Sequence, residues 1–433
     1  MIDIKLIREN PELVRESLRR RLKDGKQVDS LLELDKGWRE LKKQADELRA
    51  RRNEVSEKIN EAKKRSQNVE GLLREARNIP VKIQEKEAKL KTLDERRLEI
   101  WKKIPNLIDK SVPFGDATKN KVIKKYGTAK KGKNREGHAE ILENLGLIDT
   151  KKAAEVSSSR FYYLRKDLVR LNYAIISFAL DFLSKKGFEL IQPPYMLNKK
   201  ALEGAITLDV FEDAIYKIEG EDLYLIGTAE HAINAFKSNE VLNLKELPLR
   251  FAGISACFRK EAGAHGKDTK GIFRVHQFEK IEQFVFCRPE DSWKEFDTIL
   301  KNSIEIYKQL KIPFRVVLLA SGDTGSTATK TVDLEGWYPS QGEYRELGSC
   351  SNCLDYQARR SNTRFQEGNE PKFVYTLNNT AIATERMMTC IVENNIQKDG
   401  SIKIPRVLQK YMGGKKKIGG EKKGKKKVIK LKK

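Results

Sequence analysis

Between residues 31 and 104 the apolar positions recur at alternating spacings of three and four. Leu31, Leu34, Trp38, Leu41, Ala45, Leu48, Arg52, Val55, Ile59 and Ala62 follow this rule, with Arg52 as the polar intruder. The rule lapses from Arg65 to Val69, and a second seam then runs through Val69, Leu72, Ala76, Ile79, Ile83, Lys86, Leu90, Leu93, Arg97, Ile100 and Ile104. Two seams of equal length across a short polar turn predict an antiparallel helical hairpin over about residues 28–104, each arm roughly 50 Å long. Pro80 is a misfit. It removes a donor and crowds the preceding turn, so it should kink the second arm or delay its regular start to residue 80. Ahead of the hairpin, residues 1–25 read as a helical lead-in, with Asn10 as a cap and Pro11 in the first turn.

After Ile104 the pattern changes. The polar stretch 110–137, with Pro113, Gly115, Gly127 and Gly132, reads as a linker. From His138 onward apolar helices alternate with short β-rich runs. A helix around Tyr173 to Lys185 ends at Gly187, and the extended segment Phe188 to Met196 is stopped by Pro193 and Pro194. Two further runs, FRKEAG at 258–263 and FRVHQFEKIE at 273–282, read as strands facing each other across a glycine-studded loop. From Gly413 the composition shifts once more, to eleven Lys against one Glu, a tract unable to pack a core and expected to be disordered. The organisation expected is therefore a helical domain at 1–108, a second domain at 109–412 and a Lys-rich tail at 413–433.

Charge narrows the function classes. With 86 Lys and Arg against 62 Asp and Glu, the formal net charge is +24, which attracts a polyphosphate backbone and makes binding salt-sensitive. An anionic membrane surface would attract it too, but no run of about twenty apolar residues exists to span a bilayer. The N-terminus mixes acidic with basic residues and lacks an apolar signal core, which points to the cytosol. Among five cysteines, Cys350 and Cys353 form the only close pair, while Cys257, Cys287 and Cys390 lie apart. With no second close Cys/His pair beside them, free thiols are expected and zinc is not. There is no Gly-x-x-x-x-Gly-Lys-Ser/Thr loop, which argues against an ordinary P-loop nucleotide enzyme.

The facing strands carry the chemistry. Arg259 and Arg274 can fork onto phosphate oxygens, and Phe278 offers a ring face to a base. A lone Arg-x-Glu would be a solvated surface hairpin. The whole string, however, resembles motif 2 of class II aminoacyl-tRNA synthetases, in the wording of the seryl-tRNA synthetases. The segment from Asn378 to Asn394 resembles motif 3, in the less glycine-rich archaeal and eukaryotic form, and the helix with its Pro-Pro-ended strand resembles the dimer-forming motif 1.

The resemblance implies an α+β protein: an N-terminal antiparallel coiled coil, then a class II catalytic domain on a mixed, mainly antiparallel sheet. It implies a ligase that activates serine with ATP and passes the seryl group to tRNA. Arg259 would bind the α-phosphate, Arg386 would oppose it across ATP, and Arg274 would reach the terminal phosphates. Lys260, Glu261, Val275, Phe278, Leu347 and Gly348 would complete the nucleotide site. Magnesium would sit on Glu346 and Ser349, a hard-oxygen pair. Serine would meet Thr228, Ala229, Glu230, Arg259, Glu282, Asn378 and Thr380. The hairpin, with Arg39, Lys42, Lys43, Arg49, Arg51, Lys58, Lys63, Lys64 and Arg65 on its outer faces, would grip tRNA, and the enzyme would be a homodimer. Glu385, beside Arg386, would weaken the local positive potential unless it faces away. The tail would touch RNA non-specifically or serve solubility alone. The rivals are a silent tRNA-binding paralogue and a synthetase for another amino acid.

Overall fold

The computed structural model describes residues 1–130, 136–207, 214–261 and 270–419. The glycine-rich loop 262–269, Gly132 of the expected linker and the tail from 420 lie outside the described residues. The chain divides into two compact units, Met1–Leu107 and Ile108–Lys433.

The first unit is helical throughout, with α1 (Ile4–Glu9), α2 (Pro11–Arg20), α3 (Lys26–Lys64) and α4 (Glu70–Lys103). The Asn10 side chain accepts from the Leu13 amide at 3.2 Å and Pro11 opens α2, so the lead-in is two short helices joined at that cap. The long arms α3 and α4, roughly 58 and 51 Å at about 1.5 Å per residue, meet along the seam. Val55 and Ile59 pack against Ile79 and Ile83, with Leu48, Leu72, Leu73 and Ala76 around them. Each of the four buried side chains, Val55, Ile59, Ile79 and Ile83, contributes about 1.5–3 kcal/mol. That packing explains why α4 starts at Glu70 and runs through Pro80, so the expected delay to residue 80 is not seen. Pro80 is exposed while its neighbour Ile79 is buried, and seam contacts on both sides hold the turn against the proline's cost.

Two residues of α3 behave otherwise than the seam suggests. Arg52 turns out to solvent, and Asp35, beside Leu34, is fully buried. Asp35 accepts from Arg8 at 2.7 and 2.8 Å, from Arg39 at 3.1 Å and from Arg97 at 2.8 Å. Burial pushes its carboxyl up, but hydrogen bonds from Arg8 and Arg97 outweigh this and hold it below the usual carboxylate range. Arg97, read as a polar member of the seam, is thus the partner of a buried acid, and its guanidinium also lies 4.2 Å from the Trp38 ring centroid.

The second unit is built on an eight-stranded sheet of β1 (Lys121–Tyr126), β2 (Glu189–Ile191), β3 (Leu249–Phe258), β4 (Gln277–Cys287), β5 (Phe314–Leu318), β6 (Lys330–Tyr338), β7 (Glu343–Leu354) and β8 (Tyr375–Ala383). Their order is β1-β5-β6-β7-β8-β4-β3-β2, antiparallel except where β2 joins β3. Helices α5 (Asp167–Lys185), α6 (Ala229–Phe236), α7 (Ser292–Leu310), α8 (Tyr356–Ser361) and α9 (Thr384–Asn395) cover it. Alternation along β4 divides the two faces. Ile281 and Val285 join a core with Ile175, Ile299, Ile306 and Met387, while Phe284 and Phe286 join Ala229, Ile233, Phe251 and Ala358.

Two expectations are corrected here. The stretch 110–137 is not only a linker, because Lys121–Tyr126 forms an edge strand of the sheet. Its KVIKKY sequence hides this: all but Tyr126 face solvent, the lysines guard an open edge, and Tyr126 stacks on Phe314 at 4.7 Å. Nor does the tail begin at 413. Lys417–Ile418 pairs with Ile402–Lys403, Ile418 is buried and Lys415 meets Asp167 at 2.5 Å, so the folded unit continues to residue 419.

Candidate active site

The site lies where β3, β4, β7 and β8 run side by side. Register alone brings together residues far apart in the chain: Thr380 pairs with Glu282, Glu282 with Gly253, and Cys257 with Phe278. Glycine allows the close approach. A Cβ on Gly253 would come within 2.6 Å of Ile233 and 2.9 Å of Ala229, so its absence lets the start of α6 press on the sheet and carry Thr228 and Glu230 over Glu282. A Cβ on Gly348 would likewise stand 2.9 Å from the Thr380 side chain.

Arg259, Glu261, Arg274, Val275, Phe278, Glu346, Leu347, Gly348, Glu385 and Arg386 line one cleft. Arg259 donates from Nε to the Gly227 carbonyl at 3.2 Å, and its guanidinium lies 5.2 Å from the Phe278 centroid. Arg386 reaches Oε1 of Glu346 at 3.1 Å and packs over Phe273 at 5.2 Å. That guanidinium, foremost, holds the Glu346 carboxyl below the usual range. Arg274 bonds Oε2 of Glu261 at 2.9 Å. Lys260, exposed and just past the end of β3, does not line the cleft.

Glu385 shares the cleft wall, but its oxygens are taken up behind it. Oε1 accepts from Tyr162 at 2.5 Å, and Oε2 accepts from the Glu279 amide at 3.0 Å and Thr384 at 2.9 Å. Burial pushes its carboxyl up to about 7. Half-neutral near physiological pH and bonded elsewhere, it opposes Arg386 less than its position in the sequence suggests.

Beside the cleft is a polar seat. Oε2 of Glu282 receives the Thr228 hydroxyl at 3.3 Å, the Thr380 hydroxyl at 3.4 Å and the Lys280 ammonium. Oε1 of Glu230 receives Gln357 at 2.7 Å and Asn378 at 3.1 Å. Burial, with Glu282 nearby, pushes Glu230 up to about 7. Burial also pushes His231 down to about 3, so it stays a neutral ring whose Nδ1 accepts from the Gly227 amide at 3.4 Å. Ser349 donates to Asp333 at 2.5 Å, and burial and Glu346 push Asp333 well above its usual range. Among the described residues no three His, Cys, Asp or Glu group to hold a metal. All five cysteines are free and buried.

Of the residues expected from sequence, the structure brings Arg259, Glu261, Arg274, Val275, Phe278, Glu346, Leu347, Gly348 and Arg386 to the cleft, but not Lys260 or Ser349, and it gathers Thr228, Ala229, Glu230, Glu282, Asn378 and Thr380 around the seat. Sequence reading missed Lys280, Gln357, His231 and Asp333. Lys280 carried a signal, since a Lys two residues before Glu282 on a strand shares its face. Gln357 and Asp333 carried none, because their place depends on strand order.

Comparison with known proteins agrees over nearly all of the chain. Residues 1–108 match the family described as Seryl-tRNA synthetase N-terminal domain, and residues 214–395 match the tRNA synthetase class II core domain (G, H, P, S and T). The serine–tRNA ligase of Nitrosopumilus maritimus is 48% identical over 422 residues, covering 96% of this chain and 100% of that protein. A crystal structure of seryl-tRNA synthetase from Pyrococcus horikoshii complexed with ATP superposes with a TM-score of 0.91 at 45% identity, covering 96% of this chain and 99% of its own. Cytoplasmic serine–tRNA ligase from Naegleria fowleri in complex with AMP gives 0.85 at 40%, covering 96% and 98%. With paired arginines in the cleft, a carboxylate seat beside it and relatives matched end to end, the chain belongs to the seryl-tRNA synthetase family, the class II serine–tRNA ligases.

Proposed function

We propose that the cleft between Arg259 and Arg386 binds ATP and that the Glu230–Glu282 seat binds serine, so that Arg259, which borders both, serves the reaction centre. A serine–tRNA ligase first lets the serine carboxylate attack the α-phosphorus of ATP, expelling pyrophosphate, and then passes the seryl group to a ribose hydroxyl of tRNA. Negative charge develops on phosphate oxygens, and fixed guanidinium groups favour that charge most in the transition state. Arg259 suits the task because the Gly227 carbonyl and the Phe278 face already orient it. Arg386 is held from the other side by Glu346. Oε1 of Glu261, which has no partner among the described residues, is available to an adenine amino group, and buried Val275 closes that wall.

Glu346 and Ser349 form a hard-oxygen pair fitting magnesium, which when bound would neutralise charge on the phosphates. With one carboxylate and one hydroxyl, the protein supplies part of a shell that phosphate oxygens and water would complete. Serine is selected over alanine because alanine leaves a seat oxygen unpaired.

The tip residues Lys63, Lys64 and Arg65 have no acidic partner among the described residues, which supports the hairpin as the tRNA-binding element. The exposed Leu190 on edge strand β2 and Tyr173 on α5 support a homodimer through that face. Five free thiols agree with a reducing, cytosolic compartment.

The convergence of Arg259, Arg386 and Glu346 on one cleft carries this reading. Serine-dependent exchange of labelled pyrophosphate into ATP tests it. Arg259→Ala should lower exchange by about 10³-fold with the fold intact, and retained exchange would move the reaction centre elsewhere.

A further inference from the structure

Lys280 is buried within the sheet, and its ammonium meets Oε2 of Glu282 and borders the ATP cleft. Three donors, Lys280, Thr228 and Thr380, converge on this one oxygen, while Oε1 of the same carboxylate receives none from the described residues. The neighbouring acid repeats the arrangement: both amide donors to Glu230 take Oε1 and leave Oε2. Each carboxylate thus has one oxygen satisfied by protein and one turned to the seat.

A carboxylate so bonded can only accept at its open oxygen, so it demands a donor from whatever enters. We propose that Lys280 is a positioning residue for the amino-acid substrate: its ammonium locks Glu282 by Oε2, so that Oε1 alone reads the hydroxyl that separates serine from alanine. The inference rests on the seat being the serine site.

Charge and geometry both depend on Lys280. The groups facing Glu282 are Glu230 from α6, Cys257 from β3 and Cys350 from β7, with Arg259 nearby and the hydroxyls of Thr228 and Thr380. None of these but Arg259 is a cation, and Arg259 is engaged with Gly227 and Phe278. Without Lys280 the carboxylate is left among neutral hydroxyls beside another acid, where it takes up a proton more readily and rotates more freely. A protonated Glu282 can bond its own neighbours and no longer insists on a substrate hydroxyl.

The test compares Lys280→Met, Lys280→Gln and Lys280→Arg in pyrophosphate exchange with serine and with alanine, across about pH 6 to 9. Loss of the ammonium should lower kcat/KM for serine by about 10²-fold while alanine changes far less, so discrimination collapses. The acid limb of the serine profile should move to higher pH, and Lys280→Arg should restore most of both. If Met and Gln lose serine and alanine equally with an unmoved profile, Lys280 only holds the sheet together and the inference fails. Should Lys280→Met not fold, Gln against Arg decides on the same readouts, and equal behaviour of the two overturns it. Glu282→Gln separates the two levels. If it spares serine activation, the seat itself is misassigned; if it abolishes activation while Lys280→Met does not, only the role of Lys280 falls.

Discussion

The helical unit and the sheet unit handle charge in opposite ways. On the hairpin, Arg49 pairs with Asp46 and Glu87, Arg51 with Glu54 and Glu75, and Lys58 with Glu54, all at the surface, and Asp35 is its one fully buried acid among the described residues. In the sheet unit Lys280, Glu282, Glu295, Asp333, Glu385 and Glu393 are all buried and all partnered, Glu295 by Arg250 and Glu393 by His138. Surface pairs in water are screened and nearly neutral in energy, whereas a buried charge persists only where its surroundings answer it. The first unit therefore uses charge to present a surface, and the second uses it to build a site.

The largest expected effect separates those two uses. Replacing residues 45–88 by a short flexible turn removes the tip but keeps Asp35, Arg8 and Arg97. Pyrophosphate exchange should stay within about twofold, and tRNA charging should fall by at least about 10³-fold, the loss expected when several phosphate contacts go. Equal loss of both activities would erase the division of labour.

Asp35 sharpens the comparison, because here the helical unit behaves like the sheet. Asp35→Asn leaves the part-buried guanidinium of Arg8 without its anion and that of Arg97 with Asp94 alone. We expect a loss of about 3–5 kcal/mol in the stability of the helical unit, read as an early transition in thermal unfolding, with pyrophosphate exchange unchanged at lower temperature. A single unshifted transition would show that the cluster is ornamental.

How much of this was legible in the sequence follows from the range of the contacts. The hairpin could be read because a heptad seam is local: Val55 and Ile59 announce their own burial by spacing. Asp35 could not, since spacing places apolar residues and says nothing of an arginine 62 positions away that answers an acid. The strand KVIKKY reads as linker because an edge strand with one packed residue has no alternation. In the site, the Thr380 to Glu282 contact spans 98 positions and no periodicity reaches that far. Resemblance of the Arg259 and Arg386 segments to known motifs supplied what periodicity could not. Gln357, outside those assignments, emerged only with the strand order, while Lys280 was signalled by its place two residues before Glu282 on one strand.

A pH measurement probes the buried side of the contrast. Glu385 is 2% exposed, and its folded value of about 7 lies above the ordinary 4.5. A raised carboxyl stabilises the fold fully below about pH 4.5 and loses that contribution as pH rises through about 7. Full ionisation costs about 3 kcal/mol. The wild-type Tm should therefore decline from mildly acidic to mildly alkaline pH, and Glu385→Gln should flatten that decline. An unchanged slope would mean that other groups set it.

The smallest effect belongs to the surface. Arg51 meets Glu75 at 2.7 Å across the hairpin, with side chains 41% and 36% exposed, and Glu54 shares the guanidinium. Geometry alone would make this a strong contact. Yet water solvates both partners when they part, two long side chains lose freedom when they meet, and salt screens what remains. A double-mutant cycle of Arg51→Ala and Glu75→Ala should show coupling near the limit of measurement, fading further as salt is raised. Coupling that persists in high salt would place this pair with the buried charges of the sheet and move the boundary between the two uses of charge into the hairpin itself.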